Sequence, residues 1–218
     1  MKATAAGQHL AASGRLLCAV PGSDIQVWLL RHADLDDASR NQLLLTCADL
    51  LPAALPERRL AHCLLRHWLG ELLACAPEAV TLATQAQGKP WLPGQDLAIN
   101  ISHSRQWLAL AWSRQTRDIG VDIEDLGRGQ AFDALARRYF HNGEVAAWQA
   151  AAPTLRERQW LHTWTRKEAV LKAHGLGLRL ALNTLDTRHS PVQHADLGRW
   201  AVHSHDLADA VLSISWPA

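Results

Sequence analysis

From Asp24 to Leu30 apolar and polar positions alternate closely enough to predict a strand. The polar run that follows, His32 to Gln42, predicts a turn into a short helix. Pro52 and Pro56 bracket the start of the next helix, with Pro56 and Glu57 suited to its first turn. Leu60, Leu64, Trp68 and Leu72 then recur at helical spacing and predict one buried face, while Arg58, Arg59, His62 and Arg66 fall toward another. Ala79 to Ala83 reads as a short strand before a turn at Gln87-Gly88-Lys89-Pro90, and the proline-glycine segment Trp91 to Asp96 is the best candidate linker.

Beyond it the pattern predicts strands at Leu97–Ser102, Trp107–Ser113 and Asp118–Glu124, helices at Phe132–Tyr139 and Asn142–Ala150, and a long helix from Leu155 to His174. Gly175 and Gly177 end that helix, and two strand-like segments, Arg199–His205 and Ala210–Trp216, close the chain. Both halves read as strand, helices and strands, which predicts an α/β (α+β) protein of two related subdomains, residues 1–97 and 98–218. The regular rhythm of a doubly wound sheet is missing. So are G-x-G-x-x-G and G-x-x-x-x-G-K-[ST], so dinucleotide and P-loop folds lose their usual support.

Composition narrows the function classes. With 48% hydrophobic residues the 218-residue chain can bury a substantial core. A net charge of +1 argues against a partner held by nonspecific phosphate contacts, so nucleic acid is not expected. Cys18, Cys47, Cys63 and Cys75 form no C-x-x-C pair, which fits reduced thiols in the cytoplasm. No run is long and apolar enough for a membrane span, and His9, Ser13 and Arg15 interrupt the start before a signal core develops. The ten Trp are expected mainly in packing.

The sharpest chemical signal is Ile119-Gly120-Val121-Asp122-Ile123-Glu124. On a strand, Gly120, Asp122 and Glu124 share one face, and two carboxylates at i and i+2 can converge on a hard cation such as Mg²⁺. The same pattern also describes a half-buried strand with a solvated acidic face. On the long helix, Trp160, Trp164, Glu168 and Lys172 follow one another at four-residue spacing. Lys167 and Lys172 are the only lysines after Lys89, and beside Glu168 they would suit a site for both metal and phosphate. Ser102 and His103 can contact a phosphate oxygen, and Lys89 at its turn can reach one. A Ser102-His103-Asp122 nucleophilic triad is disfavoured, because adjacent strand residues point to opposite sides and no G-x-S-x-G elbow exposes the serine.

Four segments in order, GKPWLP at 88–93, NISHS at 100–104, GVDIE at 120–124 and WTRKEAVLKAHGLGL at 164–178, resemble the 4'-phosphopantetheinyl transferase superfamily, in its longer monomeric two-subdomain branch. The resemblance covers roughly residues 56 to 180. It implies two pseudo-twofold α/β subdomains with coenzyme A and Mg²⁺ between them, and transfer of the phosphopantetheine arm to a serine of an apo acyl, peptidyl or polyketide carrier protein. It also implies that Asp122, Glu124 and Glu168 bind the metal, with Glu168 or a metal-polarised water as base. Lys172, Lys89, Ser102 and His103 would then contact coenzyme A. Arg58, Arg59 and Arg66 are candidates for its 3'-phosphate, and Arg31 and Arg40 leave that assignment open. Arg137 and Arg138, with Tyr139 and Phe140, would either orient the acidic carrier or pack an edge of the second subdomain. The same resemblance implies a monomer, in the cytoplasmic setting that composition already argues for and without the membrane or nucleic-acid partners that it argues against. Two alternatives share these acids: a Mg²⁺ enzyme transferring a nucleotide pyrophosphate to water, and a silent coenzyme A-binding protein.

Overall fold

The computed structural model describes residues 15–17, 20–46, 56–85, 88–127, 129, 132–175 and 180–218. Among the described residues ten strands form two antiparallel sheets and a small hairpin. The first sheet has the order β1-β2-β6-β5, built from β1 (Arg15–Leu17), β2 (Gln26–Arg31), β5 (Ala98–His103) and β6 (Trp107–Ser113). The second has the order β7-β10-β9-β8, from β7 (Gly120–Asp125), β8 (Val192–His194), β9 (Gly198–Asp206) and β10 (Ala210–Pro217). The hairpin pairs β3 (Ala83–Thr84) with β4 (Pro90–Trp91). The fold is mixed α/β with two subdomains of sheet and helix.

Helices α1 (Asp37–Thr46) and α2 (Pro56–Leu73) belong to the first sheet; α3 (Phe132–Tyr139), α4 (Asn142–Ala150) and α5 (Arg156–His174) belong to the second. The predicted face of α2 is the one buried: Leu60, Leu64 and Trp68 pack with Leu30, Ile99, Leu108 and Leu110. β6 is apolar from Trp107 to Trp112 because both of its faces are covered. Its leucines, Leu108 and Leu110, meet α2, while the small Ala109 and Ala111 meet Val121, Ile123, Leu212 and Ile214 of the second sheet. The alanines let the two sheets approach closely, so the seam between them is a core in its own right.

By strand pairing the two sheets divide between Ser113 and Gly120, downstream of the boundary expected near residue 97. β6 pairs with β2 over its whole length, which binds β5 and β6 to the first sheet. The strand expected at Ala79–Ala83 shrinks to Ala83–Thr84, because Pro77 opens a 3-10 turn at Pro77–Ala79. β8, unforeseen from the sequence, pairs along Val192–His194. Gly175 ends α5 in the left-handed region at φ 83°, donating its N–H to Leu171 O at 2.9 Å, while Gly177 lies outside the described residues. Among the described residues no helix is long and apolar enough to cross a membrane. Cys63 is buried and Cys75 exposed, both free thiols.

The connection between the sheets is tied down by Asp24. Its carboxylate accepts from Ser113 Oγ at 2.5 Å, Arg114 N at 2.8 Å, Gln115 N at 2.9 Å and Thr116 Oγ1 at 3.1 Å. Burial pushes its pKa up, but the four donors outweigh burial and hold it at about 2 against an ordinary 3.8. A depressed carboxylate pKa stabilises the fold fully above 3.8, and that contribution is lost as pH falls toward 2. Asp24→Asn is therefore expected to lower stability by about 1–3 kcal/mol near neutral pH. The gap to the parent should close in urea titrations carried down to about pH 2. A gap that stays constant with pH would remove Asp24 from this role.

Candidate active site at the junction of β7 and α5

Gly120, the first residue of β7, sets how close α5 comes. A Cβ there would lie 2.0 Å from Ala169 O and 2.4 Å from Ala173 N, backbone atoms of α5 that have nowhere to retreat. Only glycine permits this approach, which brings Glu168 and Lys172 of α5 up to Asp122 on the same face of β7. Gly120→Ala is expected to destabilise the protein by about 1–3 kcal/mol through overpacking. It should also part the site, so a variant with parental melting temperature and activity would show that the close approach is unnecessary.

At that junction Asp122 is buried, 5% exposed. Lys172 Nζ donates to Asp122 Oδ1 at 2.6 Å, to Ser102 Oγ at 2.9 Å and to Val121 O at 3.2 Å. Ser102 Oγ itself donates to Asp122 Oδ1 at 2.9 Å. Asp122 Oδ2 is buried with no hydrogen-bond partner. Such an oxygen costs free energy unless something positive meets it. Glu168 is half-buried, and its pKa rises to about 7: burial is the main cause, the neighbouring Asp122 charge adds to it, and Lys172 opposes. A carboxyl of that pKa can accept or release a proton near neutrality.

Glu124 stands two residues along β7, half-buried. Among the described residues no group of three or more His, Cys, Asp or Glu side chains is arranged as a metal centre, with Lys172 supplying the positive charge against Asp122 Oδ1. The donor chemistry nevertheless suits a hard cation: an orphaned buried carboxylate oxygen, and a second carboxyl whose ionisation the first opposes.

The remaining expected residues divide. Lys89 Nζ donates to Ala173 O at 3.0 Å, which lays the β3–β4 hairpin against the end of α5, next to Lys172. Burial pushes the Lys89 pKa down, with Asp118 opposing. His103 is exposed at the end of β5, close enough to His32 for its charge to be felt there. Arg66 donates to Val80 O at 2.7 Å and to Pro77 O at 3.4 Å, so its guanidinium braces α2 against the following loop. Arg59 is half-buried on α2, and the side chain of Arg58 lies outside the described residues. Arg31 spans the two sheets to Asp209 Oδ2 at 2.5 Å, and Arg40 donates to His32 O at 3.1 Å.

Lys167 departs from expectation. It is fully buried on the other side of α5, paired with Glu144 Oε2 at 2.7 Å and donating to Leu182 O at 2.8 Å and to Leu185 O. One residue of helix is a rotation of about 100°, so Lys167 and Glu168 cannot share a site. The aromatic half of the predicted stripe also separates from the chemistry. Trp160 and Trp164 stack at 5.4 Å, and Phe132, Phe140 and Tyr139 surround them. Asn100, which sequence reasoning passed over, caps β7 by accepting from Val121 N at 2.8 Å. Its place two residues before Ser102 on a strand was the available signal.

Comparison with known proteins converges on the same stretch. The family model described as the 4'-phosphopantetheinyl transferase superfamily matches residues 118–215, that is, the second sheet with its helices. A 4'-phosphopantetheinyl transferase of Bacillus subtilis is 32% identical over 122 residues, covering 56% of this chain and 53% of that protein. The transferase HetI of Nostoc sp. (strain PCC 7120 / SAG 25.82 / UTEX 2576) is 33% identical over 138 residues, 62% of this chain and 57% of its own. AcpT of Salmonella typhi is 35% identical over 130 residues, 58% of this chain and 66% of its own. The chain thus spans a little over half the length of the first two of these relatives. The matched stretch contains both β7 with Asp122 and α5 with Glu168 and Lys172, so it is over its site-bearing part that the chain is similar to the 4'-phosphopantetheinyl transferase superfamily.

Proposed function

We propose that this protein transfers the 4'-phosphopantetheine arm of coenzyme A to a serine of an apo acyl, peptidyl or polyketide carrier protein, releasing 3',5'-ADP. The supporting observation is the constellation at β7 and α5, where a buried aspartate with one orphaned oxygen, a carboxyl with a pKa near neutrality and a lysine stand together. In this reading Asp122, Glu124 and Glu168 would hold Mg²⁺, and the metal, when bound, would supply positive charge to the pyrophosphate oxygens as the bond to the leaving group breaks. Lys172, at the rim with its side chain 29% exposed, would neutralise phosphate charge. Glu168 would accept the proton of the carrier serine as its oxygen attacks the β-phosphate. Because a cation in direct contact would lower the Glu168 pKa, its contact to the metal in that role must be loose.

In this reading Lys89, on the hairpin, and His103, at the end of β5, would contact coenzyme A, with Arg59 a further candidate. Arg137 and Arg138 are exposed on α3, with Arg138 over the Tyr139 ring at 5.1 Å, and offer cations to an acidic carrier helix. In a cytoplasmic setting the enzyme would act as a monomer.

Intact mass of several apo carriers incubated with the protein, coenzyme A and Mg²⁺ tests the proposal. A gain of about 340 Da is expected on at least one carrier, with 3',5'-ADP released in step. Release of 3',5'-ADP without carrier modification would instead identify a hydrolase of the pyrophosphate.

A further inference from the structure

β7 and β10 pair so that Asp122 and Ser213 stand directly opposite each other, on the sheet face that α5 covers. Opposite Ser213 on its other side is Ser204 of β9. An aspartate and two serines thus form one row across three strands. Thr165 of α5 sits over that row: its Oγ1 lies 2.8 Å from Ser213 Oγ, which lies 2.9 Å from Ser204 Oγ. Thr165 Oγ1 also donates to His162 O at 3.4 Å. With one proton on each hydroxyl, the direction of the chain follows: Ser204 donates to Ser213, Ser213 to Thr165, and Thr165 to the carbonyl.

Thr165 and Ser213 are both 0% exposed. Neither is what its own element favours. Thr165 is a β-branched hydroxyl residue in the middle of a helix, and Ser213 stands between Leu212 and Ile214 in a buried strand. Replacing both partners of a buried hydrogen bond by apolar groups of similar shape is close to neutral for stability, or stabilising. A satisfied buried polar pair adds what apolar packing lacks, a bond that accepts one geometry and resists others.

What that geometry fixes is the direction of Glu168. At about 100° per residue, Thr165 and Lys172 fall within about 20° of one line along α5, two turns apart, and Glu168 stands between them about 60° from Thr165. α5 is held at both points by directed bonds, from Thr165 to β10 and from Lys172 to β7. In the proposed transfer Lys172 also serves the phosphate, whereas Thr165, sealed from solvent, keeps its bond throughout.

We infer that Thr165 and Ser213 are positioning residues for the transfer, fixing the rotation of α5 and so the place of the Glu168 carboxyl against Asp122. The inference rests on the proposed function. Misplacement of a reacting group by about 1 Å can cost about 100-fold in rate.

The double variant Thr165→Val/Ser213→Ala removes the bond and leaves neither partner unpaired. Its melting temperature is expected to match or exceed the parent's. Its kcat for carrier modification is expected to fall about tenfold or more, with KM for coenzyme A changed by no more than about twofold. Thr165→Ser keeps the hydroxyl and is expected to stay within about twofold of the parent kcat. Crystal structures of the parent and the double variant read the cause directly, with the Glu168 carboxyl expected to shift against Asp122 by about 1 Å or more. Should the double variant fail to fold, Ser213→Ala alone is read by the same rate and displacement criteria, since Thr165 keeps its carbonyl and the half-buried Ser204 can turn to water.

A parental kcat in the folded variant, or a Glu168 that has not moved, would overturn the inference and leave the transfer standing. So would a loss confined to KM, a loss equally large in Thr165→Ser, or one that tracks a fall in melting temperature. A parent that modifies no carrier would overturn the transfer reading and this inference with it.

Discussion

Lys167→Ala is expected to destabilise the protein by about 3–5 kcal/mol, the cost of leaving one member of a buried ion pair without its partner. That is a large share of the roughly 5–15 kcal/mol that holds a typical domain together. Both charges are fully buried and bonded on every side. Glu144 Oε2 accepts from Lys167 Nζ at 2.7 Å and from His141 N at 2.8 Å, while Oε1 accepts from Thr187 N and Thr187 Oγ1, both at 2.7 Å. Lys167 Nζ also donates to the carbonyls of Leu182 and Leu185.

The pair therefore fastens three pieces, α4, α5 and the segment 182–187, and removing either member leaves the other's buried charge without its counter-charge. Burial pushes the Lys167 pKa down and Glu144 opposes it. Urea unfolding of Lys167→Ala and of Lys167→Met/Glu144→Gln tests the account. The single variant should lose more than the double, because the double leaves no unpaired charge. A loss below about 1 kcal/mol for Lys167→Ala would mean that water or a rearranged side chain satisfies Glu144.

The second large effect is on chemistry. Asp122→Ala is expected to lower the rate of carrier modification at saturating Mg²⁺ by at least about 100-fold, the loss that follows removal of a single electrostatic contact at a catalytic centre. Three roles end together: the orphaned Oδ2, the ion pair with Lys172 and the hydrogen bond from Ser102. The fold should survive, because removing Asp122 also removes the buried negative charge whose second oxygen had no partner. Single-turnover mass measurement on a carrier, with a thermal melt in parallel, separates the two quantities. A near-parental rate would take Asp122 out of the reaction.

The two predictions concern neighbours on one helix and its facing strand, yet one is about stability and the other about turnover. Lys167 and Glu168 are adjacent in the chain, and helical rotation sends one into the protein interior and the other toward Asp122 on β7. Nothing in the local spelling WTRKEAVLK distinguishes a lysine for a carboxylate in the core from a lysine for a phosphate.

What the sequence determined by itself is local. The period-two and helical patterns located β2, β5, β6, β7, β9 and β10, the helices α2 to α5, and the glycine that ends α5, because side-chain alternation and capping act within a few residues of chain. The placement of Asp122 and Glu124 on one face of a strand, and of Glu168 and Lys172 on one stripe of a helix, followed from the same periodicities. Tertiary structure alone decided which sheet each strand joins, since β6 pairs with β2, and brings β5 with it, across about 75 residues of chain that no local pattern records. It also decided that Arg66 braces a loop, that Lys167 finds Glu144, and that Gly120 is needed for the approach of α5. Each of these depends on a contact between residues distant in the chain, where packing and the pairing of buried charges govern.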